Sequence, residues 1–314
     1  MNLHQFRFVQ EAVRRQLNLT DTAKALGTSQ PAVSKAILEF EEELGVDIFA
    51  RHGKRLKRIT EPGQAVLRSV DLIMREVANL KRIGEEFSKQ DAGTLSIACT
   101  HTQARYFLPG PVAELRKRYP KVQVVLHQTT PERVARMLLD DAAEIGLATE
   151  GLADHDGLVT LPCYEWQHVA VVPAGHALAA VERPTLEQLA AHPLALYPRN
   201  LTGRARIDQA FERARLRPLV ALEAADAEVI KTYVRLGLGV GIVTELAMGT
   251  EPVEADVIYR PLGHLFGSHV AHVAFKRGAY LRQFVLAFAE LLAPRLTAAL
   301  IERAMHGHDP DHPL

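Results

Sequence analysis

The stretch NLTDTAKALGTSQPAVSKAILEFEEELG, residues 18–45, predicts two short helices joined by a tight turn. Thr20 or Asp21 can cap the first helix, and Gly27 can end it. Ser29 is a good N-cap for the second helix. That helix carries one apolar stripe, formed by Val33, Ile37, Phe40 and Leu44. Such a pair, whose second helix opens with small polar residues, is typical of a helix-turn-helix motif.

A basic hairpin is predicted directly after these helices, in VDIFARHGKRLKRIT, residues 46–60. We expect an apolar strand over 46–49, a tip at His52 and Gly53, and a return strand through Leu56 and Ile59. Residues 1–60 carry ten Lys and Arg against seven Asp and Glu, and five of the ten lie in RHGKRLKR. The hairpin is therefore a candidate wing that contacts phosphates beside a DNA groove.

The candidate DNA-binding residues come from the start of the second helix and from this wing. Their hydroxyl, amide and methyl groups suit base edges, and their cations suit phosphates or guanine. They are Thr28, Ser29, Gln30, Pro31, Ala32, Ser34, Lys35, Arg51, Lys54, Arg55 and Lys57.

A long helix is predicted to follow, capped by Thr60 and opening with EPGQAVLRSVDLIMREVANLKRIGEEF. Its apolar positions alternate steps of three and four, namely Val66, Val70, Ile73, Val77, Leu80 and Ile83. Such a stripe favours a partner helix. The alternative is that the helix packs on its own domain.

From Gly93 onward, apolar strands alternate with helical segments, which indicates a mostly parallel α/β sheet covered by helices. A second α/β set follows, so two lobes joined by crossing strands would leave a ligand cleft at the carboxyl ends of the strands. The predicted fold is an N-terminal winged helix-turn-helix, a long linker helix and a two-lobed α/β domain like that of periplasmic binding proteins. The predicted bounds are 1–59, 60–89 and 90–314, with lobe I about 90–162 and 267–295 and lobe II about 163–266.

The segment LSIACTHTQARYFLP, residues 95–109, could supply a metal site, a nucleophile or a set of neutral hydrogen-bond donors. A metal shared by Cys99 and His101 is disfavoured, because they are not part of a recognised metal-binding motif. Thr100, Thr102 and Gln103 stand where the strand passes into a predicted helix start, where free N–H groups attract anions. A simpler alternative is that Thr102 only caps that helix.

Two further turns resemble this one: EIGLATE ends its strand at Thr149, and NLTGRARIDQ places Thr202 at another helix start. Together the three turns would form a cage of neutral donors suited to a fully ionised small anion. Trp166 could form a wall of the cleft, although plain core packing is an equal alternative.

Other patterns exclude several classes of function. The glycines of RLGLGVGIV follow a helix and precede a strand, the reverse of a phosphate-binding turn. No G-x-S-x-G, H-E-x-x-H, Walker or EF-hand motif is present. The two cysteines form no CxxC pair, and the histidines of HGHDPDHPL suit a solvated end. The chain has 37 basic and 37 acidic residues, no apolar run of about 20 residues and charges near its start, so we expect a cytoplasmic protein without membrane contact. Because the motifs named above are missing, we also expect that it is not an enzyme and has no cofactor.

The whole chain resembles the LysR-type transcriptional regulators, and within them the cysteine-regulon (CysB-type) activators of sulfur assimilation. The segments that carry this resemblance are LNLTDTAKALGTSQPAVSKAI, THTQARYFLP, LPCYEW, TGR and DAEVIKTYVRLGLGVG. It implies binding of double-stranded DNA, a dimer through the linker helix, usually a tetramer, and RNA polymerase as a partner. It also implies an effector domain for sulfate, O-acetylserine or N-acetylserine.

In that subgroup the effector cleft uses residues that map here onto Thr100, Thr102, Gln103, Thr149, Trp166 and Thr202. Arg199 departs from the pattern and brings a charge near the cleft that can change ligand choice. Three alternatives stay open: a regulator of sulfonate or other sulfur-source use with a different anionic effector, a non-regulatory sulfate-binding protein, and an enzyme acting on O-acetylserine.

Overall fold

The computed structural model describes residues 1–53, 55–88, 92–199, 201, 203–248 and 256–307. The chain forms two compact units, Met1–Gly84 and Glu85–Leu314. The elements that begin in the first unit are α1 Leu3–Arg14, α2 Leu19–Ala25, α3 Gln30–Leu44, β1 Phe49–His52, β2 Arg55–Ile59 and α4 Glu61–Ser88.

The helix-turn-helix is α2 and α3, as predicted, with one change at its start. Asn18 caps α2, because its side-chain oxygen accepts hydrogen bonds from the backbone N–H groups of Thr20 and Asp21. The prediction that Thr20 or Asp21 is the cap is therefore wrong. Ser29 caps α3 as expected, through a 3.3 Å bond from Ala32 N.

The apolar stripe of α3 holds the first unit together, except at its last position. Val33, Ile37 and Phe40 are buried in a core shared with α1, the hairpin and the first turns of α4. Leu44 is exposed, because the next residue, Gly45, turns the chain away in the left-handed conformation.

The hairpin begins later than predicted. The strand starts at Phe49 and not at residue 46, since the Glu41 side chain of α3 accepts the N–H groups of Ile48 and Phe49 at 2.9 Å each. These two hydrogen bonds hold residues 48 and 49 against α3, so pairing with β2 begins only at Phe49. Antiparallel pairing then runs from Phe49 opposite Ile59, and Lys54 at the tip lies outside the described residues.

Thr60 caps α4 as predicted, accepting a 2.9 Å hydrogen bond from Gly63 N. Of the predicted apolar stripe, Val70 is buried in the core of the first unit, whereas Ile73 is 40% and Leu80 is 68% exposed. The helix thus packs on its own unit near its start and presents apolar side chains farther along. The partner helix for this stripe stays a prediction.

The second unit contains strands β3 Ala92–Cys99, β4 Lys121–Gln128, β5 Ile145–Ala148, β6 Leu158–Pro173, β7 Leu194–Leu196, β8 Val220–Glu223, β9 Val240–Thr244, β10 Val257–Pro261 and β11 Ser268–Lys276. Its helices are α5 Pro109–Arg118, α6 Pro131–Leu139, α7 Leu186–Ala190, α8 Arg204–Arg213, α9 Ala227–Arg235, α10 Gly263–Phe266, α11 Gln283–Leu292 and α12 Ala298–Met305.

The two predicted lobes are present, and β6 passes between them. Strands β4, β3 and β5 are parallel neighbours, and β11 pairs antiparallel with β5 and with β6 up to Gln167. From His168 onward, β6 pairs instead with β9 and β10, and β9, β7 and β8 form the parallel part of the second lobe. The strand therefore changes lobes between Gln167 and His168, while the predicted lobe bounds stay a prediction.

The glycine-rich segment after α9 ends that helix and leads into β9, as its order in the sequence predicts. A Cβ on Gly239 would lie 2.0 Å from the carbonyl oxygen of Pro193, so this glycine permits close packing of two chain segments. Among the described residues, no helix is both long and apolar enough to span a bilayer.

Candidate ligand cleft and nucleic-acid interface

The predicted donor residues of lobe I leave the sheet at one edge. Strands β3 and β5 are parallel neighbours with Cys99 opposite Leu147, so Thr100 and Thr149 follow adjacent carboxyl ends. This edge is where open α/β sheets bind ligands. The strand register therefore brings together two of the three turns that the sequence singled out.

Thr100 and Gln103 are both buried and bonded to each other. The side-chain oxygen of Gln103 accepts a 3.2 Å hydrogen bond from Thr100 N and another from the Thr100 hydroxyl. Two donors thus converge on one oxygen atom at the strand end. Both donors of Thr100 are therefore paired within the protein, and an anionic ligand at Thr100 stays a prediction.

The segment after Thr102 is not the predicted α-helix. Gln103–Phe107 form a five-residue π-helical turn, and α5 begins only at Pro109, whose missing N–H fits the first position of a helix. Thr102 and Leu108, on either side of this turn, are also helical, so the turn continues into α5, and the attraction of an anion to this helix start stays a prediction.

Thr102 does not cap this turn through its side chain. It lies instead near the hydroxyl of Tyr197, a fully buried residue of lobe II. Burial raises the pKa of Tyr197, so its hydroxyl stays protonated in this contact.

Trp166 packs in the core, as one of the two alternatives held, and its place as a wall of the cleft stays a prediction. It is buried, and its indole Nε1 donates a 3.1 Å hydrogen bond to Thr149 Oγ1. Because the indole N–H is only a donor, the hydroxyl proton of Thr149 is still available to a ligand. Trp166 therefore orients Thr149 as a donor at the cleft edge.

Two buried histidines pack against the indole of Trp166. The His269 ring stacks on Trp166 with centroids 4.3 Å apart, and its Nε2 lies 3.2 Å from Nδ1 of His168. Burial, with a smaller contribution from the nearby Arg206, lowers the pKa of His269 to about 4. His269 is therefore neutral near pH 7.

The third predicted turn reaches the same cluster through Gly203, since Thr202 lies outside the described residues. Gly203 has a φ of +67°, and a Cβ there would lie 2.5 Å from Cε1 of His269 and 2.8 Å from Cε1 of His168. Its N–H donates a 2.7 Å hydrogen bond to the Glu150 carboxylate. The start of α8 is therefore fixed against the histidine pair and bonded to lobe I.

Arg204, the next residue, anchors α8 inside lobe II. Its buried guanidinium donates to the carbonyl oxygen of Tyr197 and to the carboxylates of Asp208 and Glu223, each carboxylate at 2.8 Å. The arginine of the TGR segment is thus a structural residue. Arg199 is 84% exposed at its side chain and lies 3.9 Å from Asp208, on the outer side of α8.

A second set of contacts joins the lobes beside the π-helical turn. The hydroxyl of Tyr106 donates to Glu228 at 2.7 Å, and the buried Lys231 ammonium lies 2.6 Å from the same carboxylate. Burial acts to raise the pKa of Glu228, but the bonds from Lys231 and Tyr106 outweigh it and leave the pKa below its usual value. Glu228 is therefore a stable carboxylate between the lobes.

The metal and nucleophile interpretations of Cys99 and His101 find no support. Burial raises the pKa of Cys99 to about 12, which keeps the thiol protonated, while His101 is exposed. Within the described part of the chain, no group of three or more His, Cys, Asp or Glu side chains is placed to hold a metal ion.

The predicted DNA-binding residues of α3 lie at the surface of the first unit. Thr28, Ser29, Pro31 and Lys35 are exposed, and Gln30, Ala32 and Ser34 are half-buried. On β2, Leu56 points into the core while Arg55 and Lys57 are exposed on either side of it. These positions can meet a DNA duplex.

Arg51 differs from the other cations of the hairpin. Its guanidinium lies 2.7 Å from the buried carboxylate of Glu41, and its side chain is largely buried. The pair connects α3 to the wing. Arg51 thus has an internal partner, and its contact with phosphate stays a prediction.

Sequence reasoning missed Glu150, His168, His269 and Tyr197. Glu150 was visible as the charged residue after Thr149 in LATE, and His168 as the residue two places after Trp166. No local pattern marks His269, because its contacts arise from the pairing of β11 with β6 opposite Trp166.

Two family models match the chain. The model described as the LysR substrate binding domain matches residues 88–297, and the model of the bacterial regulatory helix-turn-helix protein, lysR family, matches residues 3–64. Together they cover most of both structural units.

Similar proteins are named as regulators. The transcriptional regulator CysB of Burkholderia cenocepacia is 52% identical over 314 residues, which is 100% of both chains. The regulator SsuR of the same organism is 44% identical over 96% of this chain and 97% of its own. A crystal structure of the cofactor-binding domain of the Cbl regulator superposes with a TM-score of 0.65 at 40% identity, over 69% of this chain and 94% of that one. These names agree with the prediction that the chain is not an enzyme.

Proposed function

Because this chain belongs to the LysR family of transcriptional regulators and is related to the CysB, SsuR and Cbl regulators, we propose that it controls genes of sulfur assimilation and cysteine biosynthesis. It binds promoter DNA through α3 and the wing and senses a small effector in the cleft between the lobes. Its effector is sulfate, O-acetylserine or N-acetylserine, and it needs no cofactor. It acts in the cytoplasm.

The observation that carries the effector proposal is the set of neutral donors at one sheet edge. The N–H and hydroxyl of Thr100 converge on one oxygen position, which an effector oxygen would take from the Gln103 side chain, and Trp166 leaves the hydroxyl proton of Thr149 available. Neutral donors can hold an anion without a protonated partner. A carboxylate or sulfate group of the effector suits this edge.

The proposed assembly is a homodimer through α4 that pairs into a tetramer. The exposed apolar side chains of α4, such as Leu72, Ile73 and Leu80, support a helix partner because an isolated helix gains stability by covering such a stripe. RNA polymerase is the proposed partner at the promoter.

The effector proposal is tested by calorimetric titration of the full chain with sulfate, O-acetylserine and N-acetylserine. Thr100→Val removes a buried donor and should weaken binding of the ligand that binds best by about 5- to 100-fold. Thr94→Val, which changes an exposed threonine of the same strand, is the control and should bind like the parent. Equal affinity of the Thr100→Val variant and the parent would contradict the cleft assignment.

The DNA proposal is tested with DNA from upstream of sulfur-assimilation genes. Removing both Arg55 and Lys57 should weaken binding to all sequences and flatten the log–log dependence on salt by about 2, because each phosphate contact contributes roughly 0.9. A matched pair of changes, Arg68→Ala with Lys81→Ala, removes two exposed cations of α4 and should leave the slope unchanged. An unchanged slope in the wing variant would contradict the phosphate role.

Changes at Gln30 or Ser34 should instead alter sequence preference. These side chains lie in the first turns of α3, where a recognition helix contacts base edges. Binding to a set of single-base operator variants measures this effect. A uniform loss across all variants would mean that the two side chains read no bases.

A further inference from the structure

Glu150 places a carboxylate at the edge where the neutral donors lie. It directly follows Thr149, and its Oε1 accepts the N–H of Gly203, the residue that precedes α8. The bond crosses from lobe I to lobe II. A negative charge of the protein itself thus occupies the helix start at which the sequence predicted an anion.

The bond from Gly203 sets the position of one carboxylate oxygen of Glu150, an exposed residue. Gly203 is held in the left-handed conformation against the rings of His168 and His269, so the direction of its N–H is fixed. The Gly203 bond uses part of the acceptor capacity of the carboxylate. About four acceptor positions exist on a carboxylate, so Glu150 can still accept a hydrogen bond from a ligand.

The charges around Glu150 determine which ligand groups it attracts. Arg206, in the first turn of α8, is the cation that acts on it, and His269 on the other side of Gly203 is neutral near pH 7. Desolvation raises the pKa of the Glu150 carboxyl above its usual value, although the Gly203 bond and Arg206 act in the opposite direction. A second anion placed beside it meets like-charge repulsion, whereas an ammonium group meets attraction.

We propose that Glu150 is the specificity-determining residue of the effector site, accepting a hydrogen bond from the nitrogen of an amino-acid-like effector and opposing an inorganic dianion. The inference rests on the proposed function, since it assigns a role within the same cleft. Among the three proposed effectors, O-acetylserine brings an ammonium group and N-acetylserine an amide N–H, while sulfate brings neither. Glu150 therefore favours the acylated serines over sulfate.

The test is calorimetric titration of the full chain and of Glu150→Gln with sulfate, O-acetylserine and N-acetylserine at low salt. Gln keeps an oxygen that can accept the Gly203 bond but removes the charge. We expect sulfate affinity to rise by about tenfold and O-acetylserine affinity to fall by about tenfold, with a smaller loss for N-acetylserine. The control is Glu212→Gln, which makes the same charge change at an exposed position near the other end of α8 and should leave all three affinities unchanged.

A second variant separates charge from position. Glu150→Asp keeps the charge and withdraws the carboxylate by one methylene group, so the affinity for O-acetylserine should fall while the affinity for sulfate stays low. Thermal unfolding of each variant tests whether the fold is kept.

The outcomes separate the two proposals. If the parent binds these ligands and Glu150→Gln leaves the ratio of sulfate to O-acetylserine affinity unchanged, Glu150 only caps α8 and the selectivity proposal is wrong. If the parent binds none of the three ligands, the proposed effector class is wrong, and the selectivity proposal fails with it.

Discussion

The indole Nε1 of Trp166 donates a 3.1 Å hydrogen bond to Oγ1 of Thr149, while the face of the same indole stacks on the ring of His269. One side chain thus connects the end of β5, the crossing strand β6 and the returning strand β11. The orientation of the Thr149 hydroxyl and the packing of β6 against β11 therefore depend on each other through this residue.

Replacing Trp166 with Phe should separate these two effects. Phe keeps an aromatic face for His269 but removes the donor, so the Thr149 hydroxyl loses its fixed orientation. We expect the free energy of unfolding to fall by about 1 kcal/mol and effector affinity to fall several-fold. Urea unfolding and calorimetric titration measure the two quantities, and unchanged effector affinity would mean that Trp166 only packs.

His269 should make the stability of the second unit depend on pH. The folded pKa is about 4, below the ordinary value of 6.5, so between these values the unfolded state binds more protons than the folded state. Stability should therefore fall as pH decreases from 6.5 to 4, by as much as roughly 3 kcal/mol. Arg206 is the cation near the His269 ring, and it adds to this effect. The His168 ring is the hydrogen-bonding partner of His269.

The measurement is urea unfolding at several pH values between 4.5 and 7.5, compared with His269→Gln. Gln keeps hydrogen-bonding groups without titrating in this range, so the variant should show a smaller loss of stability on acidification. Parallel curves for the two proteins would show that other groups, and not His269, set the dependence.

Three glycines allow backbone strain to be distinguished from steric overlap. Gly203 has a positive φ and no room for a Cβ, Gly237 has a positive φ of +80° with open space, and Gly175 has open space without a positive φ. Substitution by Ala should cost about 3 kcal/mol or more at Gly203, about 1 kcal/mol at Gly237 and close to nothing at Gly175. Thermal or urea unfolding ranks the three variants, and a cost at Gly203 equal to that at Gly237 would mean that the histidine pair moves to admit a Cβ.

The elements of the fold could be predicted because their determinants are local. Ser29 and Thr60 cap the helices that they precede, and the glycine order after α9 correctly excluded a phosphate-binding turn. Where a boundary depends on a distant group, sequence reasoning failed. The first strand of the wing begins late because Glu41, on the preceding helix, takes the N–H groups of Ile48 and Phe49.

The same distinction between local and distant determinants applies to the candidate site. Thr100, Thr149 and Trp166 stand at strand ends or in named motifs, so they could be proposed from the sequence. The partners that orient them could not, since His168 and His269 are 101 residues apart and meet only through strand pairing. The roles of the predicted ligand residues stay predictions until titrations of the variants are made.

Glu41 should be needed for the shape of the wing. Its buried carboxylate accepts the N–H groups of Ile48 and Phe49 and pairs with Arg51, so it fixes the hairpin against the recognition helix. Glu41→Gln keeps one acceptor oxygen but leaves the Arg51 cation without its countercharge. We expect the first unit to lose about 1–3 kcal/mol of stability, and DNA affinity to fall because the basic strand is no longer held in place.

The neighbouring Glu42 provides the control, because it is exposed on the same helix and Glu42→Gln makes the same charge change. Both variants add the same net positive charge, which by itself strengthens attraction to DNA. Tighter binding by Glu42→Gln together with weaker binding by Glu41→Gln would therefore show that wing position outweighs net charge. If Glu41→Gln instead bound DNA as tightly as Glu42→Gln, with equal stability, the contact between Glu41 and Arg51 would have no part in positioning the wing.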